Sequence, residues 1–568
     1  MGAPTWFITF APADIHHPLC LYYADSSDCF DEKKISLLPD DTKWRLVANN
    51  PIASARFFHF IVSIFIEEII CWGRENPGLF GETNAFYGTV EQQGPLTLHL
   101  HLLLWLKFAL SPEEIKRRLL DPESNFQKRL IEYLDSCHQG RLIDATKTEA
   151  MVQRNANAKK SNYSLPMDML PQQPMEVVDW SSHFRSTVND LLCRTNMHKC
   201  DSRCLQSGPQ CKRRFPRRLV AKTHVDDTGY IHVQHDEERM NTINPVLTYL
   251  LRCNTDVTCL LSGTAIKAVI AYASDYITKV GLKTPGMFHL IRSQLLRHTA
   301  LSDGMSSDHK RKLVIGIVNS FTSKSEIGAP MAASYLLDLP DHYKSHKFKT
   351  IYWRGFVSEV LSVFSSDAEN IDIDDGTDHG ADYNVMIARD HTVVDRINLI
   401  SVSPIQDYMF RPIEHSGYCL YDWIRLYSKS KTKQKVKKQV VQVVDGTDIS
   451  KMVNLKQGEG VQDSRRYHFT EGHSQVDTHT VFLDNSLANM VPNFIGGSLP
   501  RRDAGDRDFY CCTMLTFFKP WRTGHDLKSA DDSWEHVFEQ HSFSERQTQI
   551  MNNFNLKYEC LDERDNFS

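Results

Sequence analysis

The chain has 568 residues, 41% apolar and 24% charged, with a net charge of −5. These values belong to a folded protein of about three or four domains and exclude wholesale disorder. The balance is slightly acidic, so any contact with nucleic acid must come from local basic patches.

The most apolar stretch, Phe57 to Trp72, is interrupted by Glu67 and Glu68 and is too short to span a bilayer. It reads as a helix buried against a sheet, and no membrane partner is expected. The N-terminus shows neither a charged leader nor a secretory cleavage site. Trp6 stands where a myristoylation signal needs Ser or Thr. Of fourteen cysteines, four fall between Cys193 and Cys211 and most others are scattered. That pattern implies a reducing compartment and one local metal cluster rather than a disulfide framework.

In chain order, Thr5 to Phe10 (TWFITF) predicts a strand ending at Ala11-Pro12, and Ala53 to Trp72 predicts a helix. Ala85 to Glu91 and Leu96 to Trp105 predict a hairpin turning near Gly94-Pro95. A strand has period two, so His99 and His101 share one face with Thr97. Leu98, Leu100, Leu102 and Leu104 share the other, which must meet a core. Two imidazoles two residues apart on a strand can converge on one ion. The hairpin brings Glu91 roughly opposite His99 as a third ligand. Two His and one Glu with open positions suit Mg²⁺ or Mn²⁺, with a substrate phosphate completing the shell.

Ser111 to Cys137 predicts helix. Residues 138–176 are polar and contain Pro171-Gln172-Gln173-Pro174, which predicts a linker or insertion. A helix is expected next, followed by Cys193, His198, Cys200, Cys204 and Cys211, spaced C-x4-H-x-C-x3-C-x6-C. Four of these five would satisfy a tetrahedral structural Zn²⁺. Lys212, Arg213, Arg214, Arg217, Arg218 and Lys222 follow at once, with Phe215 among them. This segment predicts a phosphate-contacting arm in which Phe215 can stack on a base. A solvated charged loop is the competing reading.

Asn244 to Lys283 is expected to be mostly helical. Within it, Ala265 to Val280 (AIKAVIAYASDYITKV) reads as an amphipathic helix with the apolar stripe Ile266, Ile270, Ala273 and Ile277. Tyr272, Tyr276 and Lys279 follow at i, i+4 and i+7 on a different face. A phenol is a weak nucleophile near neutral pH, and a neighbouring cation such as Lys279 would assist it. Beyond residue 340, the acidic stretch from Asp367 to Asp378 reads as a solvated loop. Lys429 to Lys438 reads as a flexible basic run.

Together these pieces resemble the Rep nuclease of Helitron transposons, a branch of the HUH superfamily. TWFITFAPAD looks like the family's first strand motif. His99-Leu100-His101 matches the motif that names the superfamily, and Glu91 stands eight residues ahead, where related proteins carry an acidic ligand. YASDYITK matches the two-tyrosine motif at Tyr272 and Tyr276 with its Lys279. Glu326 to Phe348, Val491 to Asp506 and the C-terminal FNLKYECLDERDNF resemble fungal members, as does the cysteine segment.

The resemblance implies an α+β fold. It has a central antiparallel sheet of ferredoxin-like or RRM-like form with packed helices, a small zinc-binding insertion and a mixed, mainly helical C-terminal region. Residues 1–137 would be the first part of the nuclease domain, 138–177 the linker or insertion, and 178–225 the zinc segment with its basic tail. Residues 226–340 would complete the nuclease with the two-tyrosine helix, and 341–568 would correspond to the region that precedes the family's helicase.

The implied activity is nicking and rejoining of single-stranded DNA at transposon ends through a 5′-phosphotyrosine, in the nucleus. No GxxxxGK[ST] occurs, so no ATPase motif is visible, and whether a helicase acts in trans is left open. The competing expectation is a catalytically inactive, transposon-derived DNA-binding protein.

Overall fold

The computed structural model describes residues 2–25, 29–93, 97–110, 112–121, 125–160, 163–200, 204, 211, 213–261, 315–317, 319–320, 327–364, 384–389, 397–432, 465–484 and 490–567. The chain forms two compact units, residues 1–345 with 556–568, and residues 346–555.

The strands of the first unit are β1 (Trp6–Ala11), β2 (Thr83–Gln93), β3 (Thr97–Leu106), β4 (His224–Val225), β5 (Ile231–His232), β6 (Asn254–Cys259) and β7 (His342–Lys344). Five of them build one antiparallel sheet in the order β6-β1-β3-β2-β7. The short pair β4 and β5 stands apart from it. The expected hairpin is present, with Gln93 opposite Thr97 and Glu91 opposite His99. Its turn, Gly94-Pro95, lies outside the described residues.

The described helices of residues 1–345 are α1 (Pro18–Ala24), α2 (Glu32–Ser36), α3 (Asp40–Asn49), α4 (Pro51–Ile64), α5 (Pro112–Leu119), α6 (Phe126–Cys137), α7 (Lys147–Ala158), α8 (Trp180–Thr195), α9 (Pro245–Leu251) and α10 (Ala329–Leu336). α4 starts where Asn50 accepts from the Ala53 N–H and Pro51 takes the first turn. It runs on into a π-helical turn, Phe65–Ile69. Phe57, Phe58, Ile61, Val62 and Phe65 are buried and share one core with Trp6, Ile8, Phe10, Leu98, Leu100, Leu102 and Leu104. The expected helix against the leucine stripe is therefore the main core of the unit. Each of these side chains is worth about 1.5–3 kcal/mol on burial, which holds the opposite face of the sheet toward polar surroundings.

Three features refine these expectations. The polar stretch after residue 138 contains α7, whose start is fixed by a reciprocal bond pair between Thr146 and Glu149. The segment after Asn244 is not uniformly helical. α9 ends at Arg252, which adopts a left-handed backbone (φ 54°), and the chain turns into the edge strand β6. Arg252 holds that turn by lying over the Tyr249 ring and donating to the Pro166 carbonyl. Finally, β7 carries the first unit past residue 340 and joins its sheet.

The second unit contains β8 (Lys347–Tyr352), β9 (Asn384–Arg389), β10 (Ile397–Val402), β11 (Tyr427–Lys431), β12 (Arg466–His468), β13 (His479–Leu483) and β14 (Met490–Ile495). β8 pairs parallel with β14, β9 pairs antiparallel with β10, and β11, β13 and β12 form a three-stranded antiparallel sheet. Trp353, Tyr408, Phe517, Phe518 and Trp521 form its aromatic core. The buried Arg411 guanidinium is satisfied there by the carbonyls of Tyr408, His415, Ser416 and Trp521. Lys429, expected in a solvated run, lies in β11 and donates to Asp407 and Gln475. Residues 433–438 and the acidic stretch from Asp367 to Asp378 lie outside the described residues. Among the described residues no helix is long and apolar enough to cross a membrane.

Candidate metal centres

The polar face of the sheet is assembled row by row from the strand register. Asp256, Thr9, His101, Thr89 and His342 form one continuous row from β6 to β7, each opposite the next. Glu91 and His99 form the neighbouring pair. The two histidines and Glu91 predicted to act together therefore do meet on one face.

His101 is buried, and its ring lies parallel to Phe7 at 6.1 Å. Its Nε2 is 3.0 Å from Glu91 Oε2, and its Nδ1 is 2.9 Å from Thr9 Oγ1. His99 Nδ1 is 3.1 Å from the Thr97 carbonyl oxygen. A carbonyl only accepts, so Nδ1 carries the proton and Nε2 keeps its lone pair. Burial lowers the His99 pKa, favouring the neutral form that ligates metals.

These donors fit a hard divalent ion. Adjacent ligands at right angles, with bonds of about 2.1 Å, stand about 3.0 Å apart, which is the Glu91–His101 spacing. Sequence reasoning missed two residues on this face. Thr9 is the partner of His101, and Asp256 accepts from Asn241 at 2.6 Å and from Thr258 at 3.0 Å. Burial raises the Asp256 pKa. The alternation of Asn254, Asp256 and Thr258 in NTDVTC was the signal available for the second.

The second centre is the cysteine knot. His198 Nε2 lies 3.3 Å from Cys200 Sγ, 3.7 Å from Cys204 Sγ and 3.2 Å from Cys211 Sγ. Zn–N near 2.0 Å and Zn–S near 2.3 Å at a tetrahedral angle give an edge of about 3.5 Å. His198, Cys204 and Cys211 form a group able to hold a metal ion, consistent with zinc, and Cys200 approaches the same imidazole nitrogen. Burial opposes ionisation of Cys211, but the Phe215 and Arg213 amides together with the Cys200 and Cys204 thiols hold it below the ordinary value. Arg239 also donates to Cys200 Sγ at 3.5 Å.

The fifth expected candidate, Cys193, is elsewhere. It lies in α8, in a core with Val188, Leu192, Met240 and Ile243. Burial raises its pKa, as suits a neutral core thiol.

The basic tail divides by direction. Arg213, Arg214 and Arg218 are exposed. Phe215 stacks on His198 with centroids 4.3 Å apart, and the Arg217 guanidinium sits 4.7 Å from the same ring. Arg217 also donates to Asn241 Oδ1 at 2.8 Å. These two side chains serve the knot and its neighbour. Lys212, Tyr272, Tyr276 and Lys279 lie outside the described residues.

Residues 1–104 match the family model described as the Helitron helicase-like domain at N-terminus. The match runs from β1 into β3 and includes Glu91, His99 and His101, relating this part of the chain to Helitron proteins. No curated protein matches the chain.

Proposed function

We propose that this chain is the nuclease part of a Helitron-type rolling-circle transposase, which nicks and rejoins single-stranded DNA at transposon ends in the nucleus. The observation that carries the reading is the convergence of Glu91, His99 and His101 on one polar sheet face, inside the span that matches the Helitron-like domain.

In this reading Glu91, His99 and His101 hold Mg²⁺ or Mn²⁺, which supplies Lewis-acid polarisation of the scissile phosphate. Tyr272 or Tyr276 gives up its phenolic proton and its oxygen bonds to phosphorus. The bond from phosphorus to the 3′-oxygen breaks, and that oxygen leaves as a hydroxyl. Lys279 favours the phenolate or offsets phosphate charge. Rejoining is the reverse attack by a 3′-hydroxyl on the phosphotyrosine. Having two tyrosines lets one hold a DNA end while the other attacks. The cysteine knot holds a structural Zn²⁺. Arg213, Arg214 and Arg218, with Lys212, contact the phosphate backbone.

The test is covalent capture. Labelled single-stranded DNA and Mn²⁺ should give a denaturation-resistant protein–DNA adduct. The Tyr272→Phe/Tyr276→Phe pair keeps both rings and should give none. An adduct formed by the double variant would place the nucleophile elsewhere. DNA binding by the unaltered chain without any adduct would favour the inactive DNA-binding reading.

A further inference from the structure

Thr9 places its hydroxyl against Nδ1 of His101. It stands on β1 directly opposite His101 on β3, with Oγ1 2.9 Å from Nδ1. The other ring nitrogen, Nε2, faces Glu91 Oε2 at 3.0 Å. The ring is buried, parallel to Phe7, and flanked on its other side by Thr89.

An imidazole that ligates through Nε2 must carry its proton on Nδ1 and needs an acceptor there. The Thr9 hydroxyl can act as that acceptor. The Thr97 carbonyl does the same for Nδ1 of His99.

We propose that Thr9 is a positioning residue of the sheet-face centre, whose hydroxyl accepts from His101 Nδ1–H and so keeps the Nε2 lone pair turned toward the cation. The inference rests on the reading of Glu91, His99 and His101 as a divalent-cation site.

The test uses the full chain and Mn²⁺ alone, followed by electron paramagnetic resonance of the free ion. Thr9→Val keeps the shape and removes the hydroxyl, and should weaken Mn²⁺ binding at least about 10-fold, the usual cost of losing a hydrogen-bond partner of a ligating histidine. Thr9→Ser restores the hydroxyl and should bind within about 3-fold of the unaltered chain by the same argument. DNA affinity in EDTA should be the same for all three. A Thr9→Val chain that melts earlier yet binds Mn²⁺ as tightly as the unaltered one would overturn the inference and leave the cation site standing. The same follows if Thr9→Ser fails to restore affinity. If the unaltered chain binds Mn²⁺ no better than His101→Ala, the cation site itself is refuted and this inference with it.

Discussion

The sheet face and the cysteine knot each gather metal-type donors, but by opposite means. On the sheet face, backbone bonds between β1, β3 and β2 fix Thr9, His101, Thr89, Glu91 and His99 before any ion is considered. A leucine stripe anchored in the main core holds them from behind. In the knot, no described residue from Met197 to Leu219 lies in a helix or strand. Its described backbone ties are few, His198 to Arg239, Arg214 to Cys211 and Arg217 to Glu238. The donors themselves are the main thing the segment has in common. A pre-formed scaffold can afford a weak, exchangeable ion that works on substrate. A segment with little structure of its own needs a tightly held ion to fold around.

The largest expected effect tests the first half of that contrast. His99→Ala or His101→Ala should drive nicking below detection, a loss of at least about 10²-fold. DNA affinity should change little, because it rests on phosphate contacts elsewhere. Gel-based nicking and binding assays on the same preparations separate the two. Full nicking by the double alanine variant would remove the sheet face from the chemistry.

A smaller effect on activity, and a larger one on local order, is expected at the knot. Purified, reduced protein should contain about one tightly bound Zn²⁺. Removing it, or replacing Cys204 by Ser, should abolish amide-exchange protection from His198 to Val220 while leaving β1–β3 protected. Removing Mg²⁺ or Mn²⁺ should change protection nowhere by more than a few-fold, since the strands close their own hydrogen bonds. Cys193→Ser should keep the zinc, because that thiol sits in the α8 core. If protection survives without zinc, the contrast between scaffold-held and ion-held centres collapses.

The same contrast explains what could be read from sequence. His99, His101 and Glu91 are legible because strand period and one hairpin relate them within a short stretch. Thr9 is not, because it joins His101 across a separation of 92 residues, and nothing local specifies that register. Asp256 was hidden by the apolar run before it, which favoured helix until Arg252 turned the chain. The knot was legible as a group but not as a ligand set. Only the exit of α8 shows that Cys193 points into a core while His198, three residues beyond the helix, can turn back. The basic tail read as a single arm, yet Arg217 is drawn inward by Phe215 and Asn241. The segment with Tyr272 and Tyr276, expected from its periodicity to be helical, lies outside the described residues.

The smallest expected effect separates the outward arginines from the inward one. Arg213, Arg214 and Arg218 are exposed beside the knot, so their charge is available to DNA. Each phosphate contact on a single strand contributes about 0.7 to the slope of log affinity against log salt. Replacing all three by Ala should lower that slope by up to about 2, and the loss of affinity should shrink as salt rises. The nicking rate at saturating DNA should stay near that of the unaltered chain, because none of the three reaches the sheet-face row. Arg217→Ala is the internal control. Its guanidinium lies over Phe215 and donates to Asn241, which in turn donates to Asp256. Losing it should loosen the knot and leave the salt slope unchanged. If the triple variant keeps the full slope while Arg217→Ala reduces it, the inward and outward assignments are reversed.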